Sequence, residues 1–130
     1  MDYKAKVFLS GGFKSNWQSK IIKELQNQFF FFNPKNHGLN KSKLYTAWDI
    51  HFVKECDIIF AYMENTNPSG YGIALEVGIA YSLGKTIILI DERSENDLDF
   101  ANYFKIVHES SNVVFTNYDE GKEFLLKFSV

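Results

Sequence analysis

At 130 residues, with a net charge of −2 and a pI near 5.9, the chain is expected to form one domain, 1–130, and carries no basic footprint for a nucleic-acid partner. Its single cysteine, Cys56, excludes an internal disulfide framework and a cysteine-based metal cluster. No stretch approaches the roughly 20 apolar residues of a membrane span, and Met1-Asp-Tyr-Lys-Ala-Lys lacks the apolar core of a signal peptide, so a cytoplasmic chain without a membrane partner is expected.

Taken in order, Lys6 to Ser10 reads as a first strand that stops at Gly11-Gly12, and Ser15 or Asn16 is placed to cap a helix whose Trp17, Ile21, Ile22 and Leu25 recur at helical spacing. Glycines between a strand and a helix let backbone amides approach a ligand closely, and the helix start favours anions. Phe29 to Phe32 forms a second short strand, ended by Asn33-Pro34. Asn33 to Ser42 is a polar surface loop able to fold over a site. It contains His37, which has no companion at ligand spacing, so no metal site is expected. A helix from about Leu44 to Glu55 carries Trp48, Phe52 and Cys56 on one face, with Asp49 beside it; by itself Asp49 is an ordinary helix-surface aspartate. The chain has 13 Phe, 7 Tyr and 2 Trp, more rings than a core this size needs, so some are expected to line a pocket or an interface.

Cys56 to Met63 is the continuous apolar run of a buried parallel strand. Pro68, Gly70 and Gly72 break it, and a helix follows that ends before Gly84-Lys85. This places Glu76 in about the first turn of that helix, where free amide N–H groups would hold a carboxylate ionised, as a nucleophile, an anchor or simply a helix-stabilising charge. Ile73, Val77, Ala80 and Gly84 share one face, with Leu75 and Ile79 on the far side. A helix apolar nearly all round needs two covers, its own sheet and a second subunit, so a homodimer or higher homo-oligomer is expected. Thr86 to Ile90 is the fourth strand, Asp91 to Asp99 a charged loop, and Phe100 to His108 a short helix or irregular segment. Asn112 to Thr116 is the fifth strand, and Tyr118 to Phe128 a closing helix with Phe124, Leu125 and Phe128 inward.

Strands alternating with helices imply an α/β, flavodoxin-like (Rossmann-like) three-layer sandwich, with a five-stranded parallel sheet in the order 2-1-3-4-5 and right-handed crossovers. In such a sheet ligands bind beyond the carboxyl ends of the strands, at the switch point between strands 1 and 3. Gly11-Gly12 and the Asn65 to Gly72 loop both land there.

Gly11-Gly12-Phe13, Asp49 eight residues before Asp57-Ile-Ile-Phe, and Asn67-Pro-Ser-Gly-Tyr-Gly-Ile-Ala-Leu-Glu-Val-Gly-Ile-Ala ending in Gly84-Lys85 together resemble the nucleoside 2-deoxyribosyltransferase family, which includes the 2'-deoxynucleoside 5'-monophosphate N-glycosidases. The resemblance runs on to Phe115-Thr-Asn-Tyr-Asp-Glu-Gly and the last helix, and its most specific block is Glu76-Val-Gly-Ile-Ala. It implies that Glu76 is the nucleophile on the anomeric carbon, forming a glycosyl-enzyme ester. It also implies that Asp49 helps protonate the departing base, and that Gly11, Gly12 and Phe13 border base and sugar. Base departure leaves an oxocarbenium-like sugar that a carboxylate can trap, and retention needs two carboxyl groups roughly 5 Å apart.

The chain departs from the transferases where they carry acidic residues for the sugar 5'-hydroxyl; here stands Thr66-Asn67-Pro68-Ser69-Gly70, similar to the monophosphate hydrolases. Neutral donors around Ser69, Gly70 and Gly72 at a helix start suit a phosphate, and Lys14 is the only candidate for the basic residue that the hydrolases usually show after their first glycine turn. Asn102 falls near the asparagine that the transferases lend from a neighbouring subunit. The resemblance thus implies a small-molecule nucleoside or nucleotide substrate and no metal or organic cofactor, with deoxyribosyl transfer ahead of hydrolysis. The alternatives are attack on the ribosyl bond of a nicotinamide dinucleotide, for which no second nucleotide pocket is evident, and a nucleotide-sensing module, which would need neither Glu76 nor Asp49.

Overall fold

The computed structural model describes residues 3–130. Met1 and Asp2, part of the segment read for a leader, lie outside them. Five parallel strands, β1 (Lys6–Gly11), β2 (Phe30–Phe32), β3 (Ile58–Met63), β4 (Thr86–Asp91) and β5 (Val113–Phe115), form one sheet in the order β2-β1-β3-β4-β5. The helices are α1 (Trp17–Leu25), α2 (Ser42–Glu55), α3 (Tyr71–Ser82), α4 (Leu98–Tyr103), α5 (Lys105–Ser110) and α6 (Tyr118–Leu126). The expected order and doubly covered parallel sheet are therefore those observed.

Strand alternation divides the core into two layers. Val7, Leu9, Phe60, Tyr62, Ile88 and Ile90 pack with Trp17 and Ile21 of α1 and Leu125 of α6. Phe8, Ile59, Ala61, Met63, Ile87 and Leu89 face the other way, against Val53 of α2, Ile73, Val77 and Ala80 of α3, and Val107 of α5. Every residue of β3 is buried, as a central strand covered on both faces requires, and that explains its unbroken apolar run. Cys56 is fully buried, and loss of solvent pushes its thiol up to about 11, so it is an inert core group. Of the closing helix, Leu125 is fully buried and Phe124 and Phe128 partly so.

Several boundaries differ from expectation. Helix α2 starts at Ser42, and the polar loop before it holds a turn of 3-10 helix at Pro34–Asn36, begun by the Asn33 side chain accepting from the Lys35 N–H at 3.1 Å. The segment left between helix and irregular structure is two short helices meeting at Phe104, whose buried ring turns the chain back to the core. Gly84 lies beyond the end of α3 and is exposed, so it is not part of the buried face, and Ile79 packs at the margin of the core instead of the far side.

Candidate active site

The glycine turn after β1 and the loop after β3 meet, as the topology demands, at the carboxyl end of the sheet. A Cβ on Gly12 would stand 2.0 Å from Asn67 Oδ1, and one on Gly11 would stand 2.5 Å from the Tyr62 carbonyl oxygen, so both positions need the missing side chain. Asn67 is 5 % exposed; its Oδ1 accepts from the Lys14 N–H at 3.3 Å and its Nδ2 donates to Glu64 Oε1 at 2.8 Å. It thus ties the two loops together.

Ser10, the last side chain of β1 to point toward α3, is completely buried, and its Oγ donates to Glu76 Oε1 at 2.6 Å. Glu76 is the sixth residue of α3, a turn further in than spacing suggested. The consequence reverses an expectation. Burial, joined by the nearby Asp49 charge, pushes its carboxyl up to about 8 against the lowering effect of the Ser10 bond, so at neutral pH Glu76 is largely protonated. The helix start does not ionise it, because the field of a helix end fades within the first turn.

Asp49 stands on α2, with its carboxyl raised from the ordinary value by burial and lowered in part by His37. His37 Nε2 lies 3.5 Å from Asp49 Oδ1, and that oxygen is buried without a hydrogen bond. His37 Nδ1 accepts from the Leu39 N–H at 3.0 Å, which leaves the ring proton on Nε2, toward Asp49. The loop that carries His37 is fastened by Lys35, whose Nζ donates to the Ser15 carbonyl oxygen at 2.5 Å.

Ser69, Gly70 and Gly72 sit at the start of α3, and Ser69 has φ 66°, a left-handed conformation that costs a non-glycine residue about 1 kcal/mol or more. Phe13 is 49 % exposed beside the glycine turn, and Lys14 is exposed too. Glu76 and Asp49 are brought within electrostatic reach of each other; Asn102 is not brought to them, lying exposed on α4. Among the described residues no group of His, Cys, Asp and Glu is arranged to hold a metal ion.

The sequence profile of the family described as "Nucleoside 2-deoxyribosyltransferase like" matches residues 4–94, which takes in every strand and helix that builds this crevice. The chain belongs to that family. Comparison with curated proteins gives no sequence match. Among solved structures, a 2-desoxiribosyltransferase from Leishmania mexicana is 13 % identical with a TM-score of 0.77, covering 97 % of this chain and 99 % of its own. A conserved protein from Enterococcus faecalis is 15 % identical with a TM-score of 0.69, covering 96 % of each chain. A CMP N-glycosidase from Clostridium botulinum is 22 % identical with a TM-score of 0.61, covering 95 % of this chain and 98 % of its own. At these identities the likeness is one of fold, and it holds from end to end.

Two members of the crevice escaped the reading of the sequence. Ser10 looked like a strand end, and only the β1–β3 register, which pairs it with Ala61, turns it toward α3. The sequence offers His37 only as a candidate metal ligand; the signal for its place beside Asp49 is its position between the second strand and the helix that carries Asp49.

Proposed function

We propose that this member of the family cleaves the N-glycosidic bond of a 2'-deoxynucleoside through an ester on Glu76 and passes the deoxyribosyl group to a second base. The observation that carries the proposal is the hydrogen bond from the fully buried Ser10 to the half-buried Glu76, set within reach of the Asp49 charge at the β1/β3 crevice. Burial raises both carboxyls, and near neutrality the pair carries a proton that rests on Glu76. The productive arrangement has that proton on Asp49 and the charge on Glu76. The C–N bond then breaks with its electron pair going to the base, Asp49 supplies the proton, and Glu76 forms the C–O ester. A second base, or water, then gives its proton to Asp49, attacks the anomeric carbon and frees the carboxylate. Ser10 holds the attacking oxygen, His37 orients the acid, and Gly11, Gly12 and Phe13 border the base and sugar.

A second reading, hydrolysis of a 2'-deoxynucleoside 5'-monophosphate, is favoured by the loop before α3. Its Thr66 to Gly70 segment has no carboxylate, and Ser69 holds a strained turn at the helix start, a setting that suits a phosphate. Association through the outer face of α3 completes the proposal. Tyr71 and Leu75 of α3 are 83 % and 51 % exposed, Tyr103 and Ile106 are exposed too, and the exposed Asn102 of α4 would be the residue lent to a neighbouring copy.

The test is product analysis by chromatography. The protein and its Glu76→Ala variant are given deoxyinosine or deoxyinosine monophosphate, with and without adenine. A new deoxyadenosine species made only with Glu76 intact supports transfer; hypoxanthine with deoxyribose phosphate, formed regardless of adenine, supports hydrolysis. Nucleotide binding without either product across a panel of bases overturns both and leaves a sensing module.

A further inference from the structure

The carboxyl end of the sheet has a cavity on the face away from Glu76. It measures about 350 Å³ and is lined by Ser15, Asn16, Trp17, Lys20, Tyr62, Glu64 and Tyr118. Tyr62 belongs to the core layer of α1 and α6, whereas Ala61 and Met63 on either side of it face α2 and α3. The Gly11-Gly12 turn separates the two sites, and Trp17 Nε1 donates to the Gly12 carbonyl oxygen at 3.1 Å from the cavity side.

Three rings wall the cavity. Trp17 and Tyr62 meet edge to face with centroids 5.2 Å apart, and Tyr62 and Tyr118 are 5.7 Å apart at 30°. Both phenol hydroxyls are tied back, Tyr62 to Glu92 and Tyr118 to Glu24, each at 2.5 Å, which fixes the rings. Glu64 accepts from Ser15 Oγ at 2.6 Å and from Asn67 Nδ2 at 2.8 Å, both on Oε1, which leaves Oε2 free among the described residues. The charges of Glu92, Glu64 and Asp119 bear on the Tyr62 hydroxyl, and those of Glu24 and Asp119 on that of Tyr118. Against these carboxylates stand Lys122, paired with Glu24 at 3.6 Å and 5.7 Å from the Tyr118 ring centroid, Lys35, whose Nζ is held by the Ser15 carbonyl oxygen and lies 3.3 Å from Asn16 Oδ1, and Lys20, which makes no ion pair among the described residues. Lys20 instead holds its Nζ 4.4 Å from the Tyr118 ring centroid. The box therefore already attracts a cation from its own chain.

We propose that this cavity is a second ligand site, for a small organic cation of the alkylammonium class, with Trp17, Tyr62 and Tyr118 as the aromatic box and Glu64 as the counter-ion. An anion would meet the carboxylates, and a neutral ligand would leave the free oxygen of Glu64 unused. The bound cation takes the place of the Lys20 ammonium over Tyr118.

The probe is choline chloride, titrated at constant ionic strength beside the neutral alcohol in which carbon replaces its nitrogen. The readout is the indole N–H resonance of Trp17 by NMR, assigned by its loss in Trp17→Phe, with Trp48 as the internal control for the crevice face and for folding. Choline is expected to shift Trp17 saturably while Trp48 stays fixed and the alcohol does nothing. Glu64→Gln, which keeps the bonds from Ser15 and Asn67 available, should weaken binding about fivefold, and Lys20→Met, which removes the competing cation, should tighten it about threefold. The proposal is overturned by the absence of saturation up to roughly 50 mM choline, by an equal response to the alcohol, by a shift of Trp48 alone, or by indifference to both substitutions.

Discussion

Glu76 carries the greatest tension in the molecule, between the chemistry proposed for it and the burial that opposes its charge. Its carboxyl moves from an ordinary 4.5 to about 8 on folding, so the folded chain takes up a proton and stability falls as pH rises from about 4.5 to about 8. Glu76→Gln removes that loss. It should stabilise the chain by on the order of 3 kcal/mol at about pH 9 and by little at about pH 5, read from urea unfolding at the two pH values. The same proton sets the activity profile as well. Because Asp49 must hold the proton when Glu76 attacks, kcat/KM should stay level near neutrality and fall about tenfold per pH unit above about 8. A rise to a plateau above that point would show that Asp49 is not used as an acid. Replacing His37 by alanine removes the group that lowers Asp49, so the alkaline fall should move to higher pH.

At the scale of elements, the junction between β4 and α5 is held by one carboxylate. Asp91 ends β4 with its side chain almost wholly buried, and it accepts from the Arg93 N–H at 2.9 Å, the Ser94 N–H at 3.0 Å, the Ser94 hydroxyl, and His108 Nε2 of α5 at 2.6 Å. Burial raises its carboxyl, but the bonds from His108, Ser94 and the two amides outweigh that and hold it at about 2. This stabilisation is fully present above pH about 4 and is lost as pH falls toward about 2; it is on the order of 2 kcal/mol. Asp91→Asn should therefore lower the urea midpoint at neutral pH and flatten the acid limb of stability. Patterning made the order of elements legible: a continuous apolar run gave β3, and glycine, proline and asparagine marked its ends. The two helices that meet at Phe104 were not legible, because what separates them is the docking of one ring and the Asp91–His108 contact, both set by residues distant in sequence.

For the whole molecule, the topology places the crevice before any side chain is considered, since β1 and β3 are neighbours whose helices lie on opposite faces. That is why Gly11, Gly12 and Glu76 could be brought to one place from sequence while Ser10 and His37 could not; the latter depend on strand register and on a loop folded back over α2. The protonation of Glu76 is not legible in the sequence for a related reason, because helix logic sees the local dipole and not the tertiary burial that overrides it. The proposed association carries its own prediction. Leu75 and Ile106 are 51 % and 75 % exposed, and Leu75→Asp or Ile106→Asp should turn an oligomer into a monomer on size-exclusion chromatography with light scattering and reduce turnover. A native chain that runs as a fully active monomer would refute it. The central claim is the ester on Glu76, and mass mapping of quenched enzyme tests it most directly. After rapid mixing with 2'-deoxynucleosides and their 5'-monophosphates, the peptide containing Glu76 should gain a deoxyribosyl or deoxyribosyl-phosphate group, and Glu76→Gln should show neither adduct nor turnover. Turnover without that adduct, or turnover retained by Glu76→Gln, would contradict it.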